Sequence, residues 1–115
     1  MNILLSNFNI HKYIMGNQLF DQYTYLHFAT GIIAYFWNIN LLNTIILHTI
    51  FEIFQNSIFG IKFINKYIKL WPGGKQSKDS LINSIGDTIG TILGWITAYM
   101  IDKIGEKYGW YKSHL

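Results

Sequence analysis

The chain has 115 residues, of which half are hydrophobic and 13% are charged, with a single proline and a formal net charge of +3. It is one domain's worth of chain, too apolar for an ordinary soluble domain and too short to hide so much apolar surface in one core. There is no cysteine, which excludes disulfides and thiolate metal sites. All nine basic residues are Lys, and they form no dense patch apart from the apolar runs, so no nucleic-acid partner is expected.

Residues 1–20, MNILLSNFNIHKYIMGNQLF, are apolar but interrupted by Ser6, Asn7, Asn9 and His11. A cleavable signal peptide has a basic start and an unbroken apolar stretch. This segment has neither, and a retained interfacial arm is expected. Runs at 21–38, 41–60 and 81–101 then approach the ~20 residues of a membrane-spanning helix. Asn38, Ile39 and Asn40 are short enough to join the first two as a helical hairpin. In IKFINKYIKLW, residues 61–71, Lys62, Asn65, Lys66 and Lys69 share one helical face and Ile61, Ile64, Ile68 and Trp71 another. That is the pattern of a helix lying in the membrane interface; the competing reading extends the second span. WPGGK at 71–75 breaks the helix and opens a 72–80 loop. A polar tail occupies 102–115. Lys62, Lys66, Lys69, Lys75 and Lys78 lie between the second and third runs, against Lys103, Lys107 and Lys112 in the tail. The positive-inside rule then places the 61–80 loop and the arm, with its Lys12, in the cytoplasm. The expected fold is all-α: one membrane domain with three spans, an interfacial basic helix and an interfacial arm.

The segment HTIFEIFQNSIFG, residues 48–60, carries a carboxylate inside an apolar run. An ionised carboxylate in hydrocarbon costs roughly 3 kcal/mol and normally faces a partner or a cavity. His48, Glu52 and Asn56 recur every fourth residue and share a helical face, with Gln55 beside it. Asp79, Asn83 and Asp87 repeat that spacing in the third run, and His27 lies in the first. Pointing all of these inward gives one shared cluster. Gly86, Gly90 and Gly94 form a small-xxx-small repeat that permits close helix approach, expected to bring Asp87 within reach of Glu52 or His48.

Glu52, His27 and Asp87 are the candidate acid/base residues. His48, Asn56, Asp79, Asn83 and Lys75 are candidate ligand-binding residues, with Lys75 placed to meet an anionic headgroup at the membrane edge. The competing readings are a hydrogen-bonded cluster that only holds helices together and, for Lys75, a solvated loop lysine. His and carboxylate are ordinary metal ligands. No HExxH or similar spacing is present, so neither a metal nor another cofactor is expected. His11 and His114 are expected at the surface.

These residues carry a resemblance. DQYTYLHFATGIIAYF at 21–36 resembles the "DWYTxSHxxHGFxFY" segment of a family of uncharacterised small bacterial inner-membrane proteins. FEIFQNS at 51–57 resembles its "WExxENS" segment, and KDSLINSIGDTIGTILGWITA at 78–98 its "GDSxxNSxxDxxxxxxGF" segment. The order His, Glu-x-x-Gln, Asp-x-x-x-Asn-x-x-Gly is similar to that of the broader VanZ-like membrane proteins. Gln55 stands where the family has an acid, and Lys78 where it has a glycine. The resemblance marks Asp21, Tyr23, Thr24, His27, Gly31, Glu52, Asn56, Ser57, Asp79, Ser80, Asn83, Ser84 and Asp87 as recurring positions. It implies a fold and a site but no reaction. The expected function is a membrane-embedded site for a polar lipid or isoprenoid headgroup, with acid/base chemistry. The alternative is a non-catalytic membrane scaffold whose polar cluster specifies helix packing or oligomer formation. Membrane lipids and copies of the chain itself are the expected partners, in a cell inner membrane or its equivalent.

Overall fold

The structure is a computed structural model that describes residues 16–71 and 73–112. The described residues form α1 (Gln22–Phe36), α2 (Leu41–Gln55), α3 (Ile58–Tyr67) and α4 (Leu81–Lys107), with no strand among them. The all-α expectation is met at that level. Residues 1–15 of the expected arm, with His11, lie outside the described residues, as does His114. Residues 16–20 pack on the start of α4, where Ser80 N–H donates to Gly16 O at 2.6 Å.

Each helix starts where a short polar side chain replaces the missing intrahelical acceptor. Asp21 accepts from Tyr23 N–H at 2.9 Å while Thr24 Oγ1 accepts from Asp21 N–H at 3.0 Å, a reciprocal capping box. Asn40 caps α2 through Asn43 N–H at 2.8 Å, Ser57 caps α3 through Gly60 N–H at 2.9 Å, and Ser80 caps α4 through Asn83 N–H at 3.1 Å. Asn38 turns the chain between α1 and α2 with a left-handed φ of 62°, which asparagine tolerates. The short connection forms as expected, but not a tightly packed hairpin: α1 packs chiefly on α4 and touches α2 little.

The helix expected over 41–60 stops at Gln55, and α3 departs from it at 87°. It is a separate helix, beginning three residues before the expected 61, not a continuation of α2. The break is built by Asn56 and Ser57, whose Oγ donates to Phe54 O at 2.6 Å. Gly60 permits the bend, since a Cβ there would collide with Phe54 O. At the other end, α4 runs on from the expected 101 to Lys107. Asp102, assigned to a polar tail by its sequence, is instead buried and accepts from Tyr35 Oη at 2.6 Å.

The distribution of side chains is inverted relative to a water-soluble domain. Among the largest fully buried side chains, Asn83, Thr91, Asp87 and Asp102 are polar and only Ile64 is apolar. Leu42, Ile50, Ile53, Ile58, Phe59, Leu70 and Leu81 are exposed. No single described helix is long and apolar enough to cross a membrane; α2 and α3 meet that test only together, as a bent pair.

The glycine repeat does approach another helix closely, but the helix is α1, not α2. A Cβ at Gly86 would collide with Leu19 O and one at Gly94 with Phe28 O, while one at Gly31 of α1 would collide with Thr91 O. Gly94→Ala is therefore expected to lower unfolding stability by about 1–3 kcal/mol, the range for overpacking a tight interface. Ala29→Leu, on the exposed face of α1, is expected to leave it within ~0.5 kcal/mol. Denaturant unfolding followed by circular dichroism compares the two; equal effects would contradict the close-packed α1–α4 contact.

Candidate functional site

Helix α2 supplies the centre of the site. His48 and Glu52 both point inward and are buried, as the four-residue spacing requires. His48 Nε2 lies 3.7 Å from Glu52 Oε1. Helix α1 brings His27, whose Nε2 lies 3.9 Å from the same oxygen and 3.3 Å from Asp87 Oδ2 of α4. The two imidazoles meet edge to face, with centroids 5.0 Å apart. Asp87 thus comes within reach of Glu52, as expected, their ligand oxygens lying within 4.8 Å of each other, although the glycine contact sets α4 against α1.

The remaining oxygen of Glu52 is held structurally. Its Oε2 accepts from Asn56 Nδ2 at 2.9 Å and from Ser84 Oγ at 3.3 Å. Asn56 is the residue that ends α2. Its Oδ1 accepts from Asp79 N–H at 2.7 Å, so one amide joins Glu52 to the loop before α4. Asp79 lies ahead of the Ser80 cap, not on the helix, so the expected stripe of Asp79, Asn83 and Asp87 does not exist as a stripe. Asn83 turns away from the acid/base residues, donating to Gln18 O at 2.7 Å and Asp21 Oδ2 at 3.1 Å. It ties α4 to the start of α1 and positions the site from outside.

Lys75 is not a solvated loop lysine. It is buried, and its Nζ lies 2.7 Å from Asp79 Oδ1. Asn65 holds its backbone, accepting from Lys75 N–H at 2.7 Å and donating to Lys75 O. Asn65 was expected on the basic face of α3; it serves instead as the clasp of the loop. Its spacing with the lysines concealed that role. Thr88 and Thr91 also escape a reading by residue type: their hydroxyls stand 3.1 Å from His48 Nε2 and 3.5 Å from His48 Nδ1.

Two oxygens at the centre, Glu52 Oε1 and Asp87 Oδ1, are buried and take no hydrogen bond from the described residues. The ligand atoms of Glu52, Asp79 and Asp87 lie within 4.8 Å of one another, and Lys75 is the ammonium paired with this group. A cavity of about 170 Å³ opens beside them, lined by Tyr23, Gln55, Trp71, Lys75, Asp79 and Asp87. His27, Thr30 and Phe51 also line it and border a second, largely apolar groove of about 230 Å³ that runs between α1 and α2 to Trp37 and Ile39.

The arrangement offers imidazole nitrogens and carboxylate oxygens with little water around them, the groups that transfer protons or bind cations. No family model, curated protein or solved structure matches the chain.

The clasp gives a direct test. Asn65→Ala removes two hydrogen bonds to Lys75 and should lower the opening free energy of the 73–80 loop by about 1–3 kcal/mol. Hydrogen exchange should speed up at Lys75 and Gln76 while the middle of α4 keeps its protection. Unchanged exchange in the loop would show that Asn65 does not hold it.

Proposed function

We propose that the chain is a multi-pass helical membrane protein, of the kind its resemblance to VanZ-like proteins suggests, whose buried cluster binds the polar headgroup of a lipid or isoprenoid. The observation that carries this reading is the junction at His27. There a cavity that reaches Lys75, Asp79 and Asp87 and a largely apolar groove share His27, Thr30 and Phe51 in their linings. A headgroup beside Asp87 and Glu52 would leave its chain to lie along Ile33, Ala34, Leu47 and Phe51. Few ligands other than amphiphiles need both surfaces in contact.

The inverted side-chain distribution supports an apolar surrounding, because exposed Leu, Ile and Phe on every helix cost nothing in lipid. Helix α4, at 27 residues, covers about 40 Å at 1.5 Å per residue and exceeds the ~30 Å hydrocarbon core. Helices α1 and α2, at 15 residues each, cover about 22 Å and rely on flanking residues or local thinning. Helix α3 then lies at the interface with the 61–80 loop on the cytoplasmic side. Lys62, Lys66 and Lys69 give it the charge for anionic lipid. In the site, Glu52 and Asp87 accept from headgroup hydroxyl or amine donors, and His27 passes a proton between the bound group and Asp87.

Alkaline carbonate extraction should leave the chain in the membrane pellet; release into the supernatant would end the membrane reading. A cysteine at Ser77 should label from the cytoplasmic side only, and the sequence has no native Cys to interfere.

Glu52→Gln and Asp87→Asn test the site itself. Both keep side-chain shape, so thermal stability in detergent should be almost unchanged. Native mass spectrometry with added phospholipid or polyprenyl phosphate should show headgroup binding weakened at least tenfold, about 1.4 kcal/mol. A double variant that keeps full binding would make the cluster a packing device and favour a membrane scaffold.

A further inference from the structure

The centre of the cluster has the geometry of a metal site, although no run of the sequence has metal-ligand spacing. One ligand atom each of His27, His48 and Glu52 lie within 4.8 Å of one another. The two Nε2 atoms stand 3.9 and 3.7 Å from Glu52 Oε1. Donors bonded at ~2.0–2.1 Å to a tetrahedral ion are about 3.3 Å apart. Each imidazole is within roughly half an ångström of that spacing from Glu52 Oε1, and the two rings lie within 4.8 Å of each other through their ligand nitrogens.

Three further observations distinguish a cation site from a hydrogen-bonded cluster. The first is Glu52 Oε1, which is buried, faces both imidazoles and takes no hydrogen bond from the described residues. The second is charge. Glu52, Asp79 and Asp87 converge with Lys75, which is engaged by Asp79, so the group carries an excess of carboxylate that a divalent ion would offset.

The third is the setting of His48. Thr88 Oγ1 donates to Ser84 O and Thr91 Oγ1 donates to Asp87 O, each at 2.9 Å. Both hydroxyls can therefore only accept from the imidazole. A neutral ring has one N–H, so one nitrogen always keeps a lone pair. With the proton on Nδ1, held by Thr91, Nε2 keeps its lone pair, 3.1 Å from Thr88 Oγ1 and 3.7 Å from Glu52 Oε1. Such an outer hydrogen bond is how metal-binding histidines are oriented.

We propose that His27, His48 and Glu52 bind a divalent first-row transition-metal ion, with Asp87 facing the fourth coordination position through Oδ2. Two imidazoles and one carboxylate suit Zn²⁺ and its neighbours rather than Ca²⁺ or Mg²⁺. The fourth position opens toward the 170 Å³ cavity, where water or a ligand oxygen completes the shell. Asp87 accepts a hydrogen bond from that oxygen. The proposal does not rest on the lipid reading, but it uses the same side chains: with a metal bound His27 is a ligand, and Asp87 alone faces the bound group.

The test uses the full chain in detergent, stripped with chelator and titrated with Zn²⁺ alone and Co²⁺ alone. One equivalent of Zn²⁺ per chain is expected by native mass spectrometry, with a rise in unfolding temperature on saturation. Co²⁺ should give the intense visible absorption of a four-coordinate site. Glu52→Gln and His27→Gln should each weaken Zn²⁺ binding at least tenfold. His11→Ala with His114→Ala should not change it. Circular dichroism checks that each variant is folded; if His27→Gln is not, Glu52→Gln decides, since it keeps the side-chain shape. No stoichiometric metal, or wild-type affinity in folded Glu52→Gln, overturns the proposal. Metal binding retained without lipid binding removes the headgroup reading alone, and the reverse result removes this one alone.

Discussion

The contact between the backbones of α1 and α4 is the constraint on which the site depends. Gly31 and Gly94 leave no side chain between the helices, where a Cβ on either would collide with a carbonyl oxygen of the other helix, and Gly86 makes the same close contact with Leu19, just ahead of α1. His27 lies one turn before Gly31, and Asp87 directly follows Gly86. The same contact that packs the helices therefore sets an imidazole 3.3 Å from a buried carboxylate. A larger residue at any of these glycines would separate the helices and open that distance. Helix α2 is held differently, by polar contacts: His48 reaches Thr88 and Thr91, and Ile39 O, just before it, accepts from Trp95 Nε1 at 2.8 Å. Packing fixes one side of the cluster and hydrogen bonds fix the other.

The sequence made the face of α2 legible, since residues four apart on a helix must share a side. His48, Glu52 and Asn56 do face the site. Periodicity identifies a face but not the neighbour opposite it. The glycine repeat correctly signalled a close approach, yet α1 rather than α2 is the partner. Asn83 and Asp87 share a helical face but diverge, because the start of α1 lies opposite one and His27 opposite the other. Asp79 left its expected stripe because Ser80 is a better cap than Asp79 is a helix interior residue, so the helix begins at Leu81. The proposed ligand set, spread over α1 and α2, would have no fixed sequence spacing of the HExxH kind.

The two ends of α4 show that burial of a carboxylate does not by itself mark a functional group. Asp102 sits beneath Tyr35, whose phenol donates to it at 2.6 Å, and Tyr35 stacks edge to face on Trp95. A phenol is a strong donor that stays protonated across the physiological range, so that pairing is fixed. Asp87 is paired instead with an imidazole, whose ring nitrogens can each donate or accept a hydrogen bond. Both acids avoid an unpartnered charge in an apolar surrounding. That second pairing also borders the 170 Å³ cavity. The chemistry of the partner, more than the depth of the acid, distinguishes the Asp102 end of the helix from the end at the candidate site.

The break between α2 and α3 shows how closely local structure and site are joined. Asn56 terminates α2, and its amide donates to both the backbone and side chain of Glu52 while accepting from Asp79 N–H. If α2 continued straight, residue 56 would keep its helical direction, but the chain beyond it would carry Asn65 away from Lys75. The 87° turn brings α3 back beneath the site, and Asn65 then clasps the loop that presents Lys75 to Asp79. Gly60 permits that turn because nothing larger fits under Phe54 O. Bend, clasp and ion pair form one chain of dependence. The apolar run expected as one span over 41–60 is instead broken at the point where the loop before α4 meets Asn56 and, through it, Glu52.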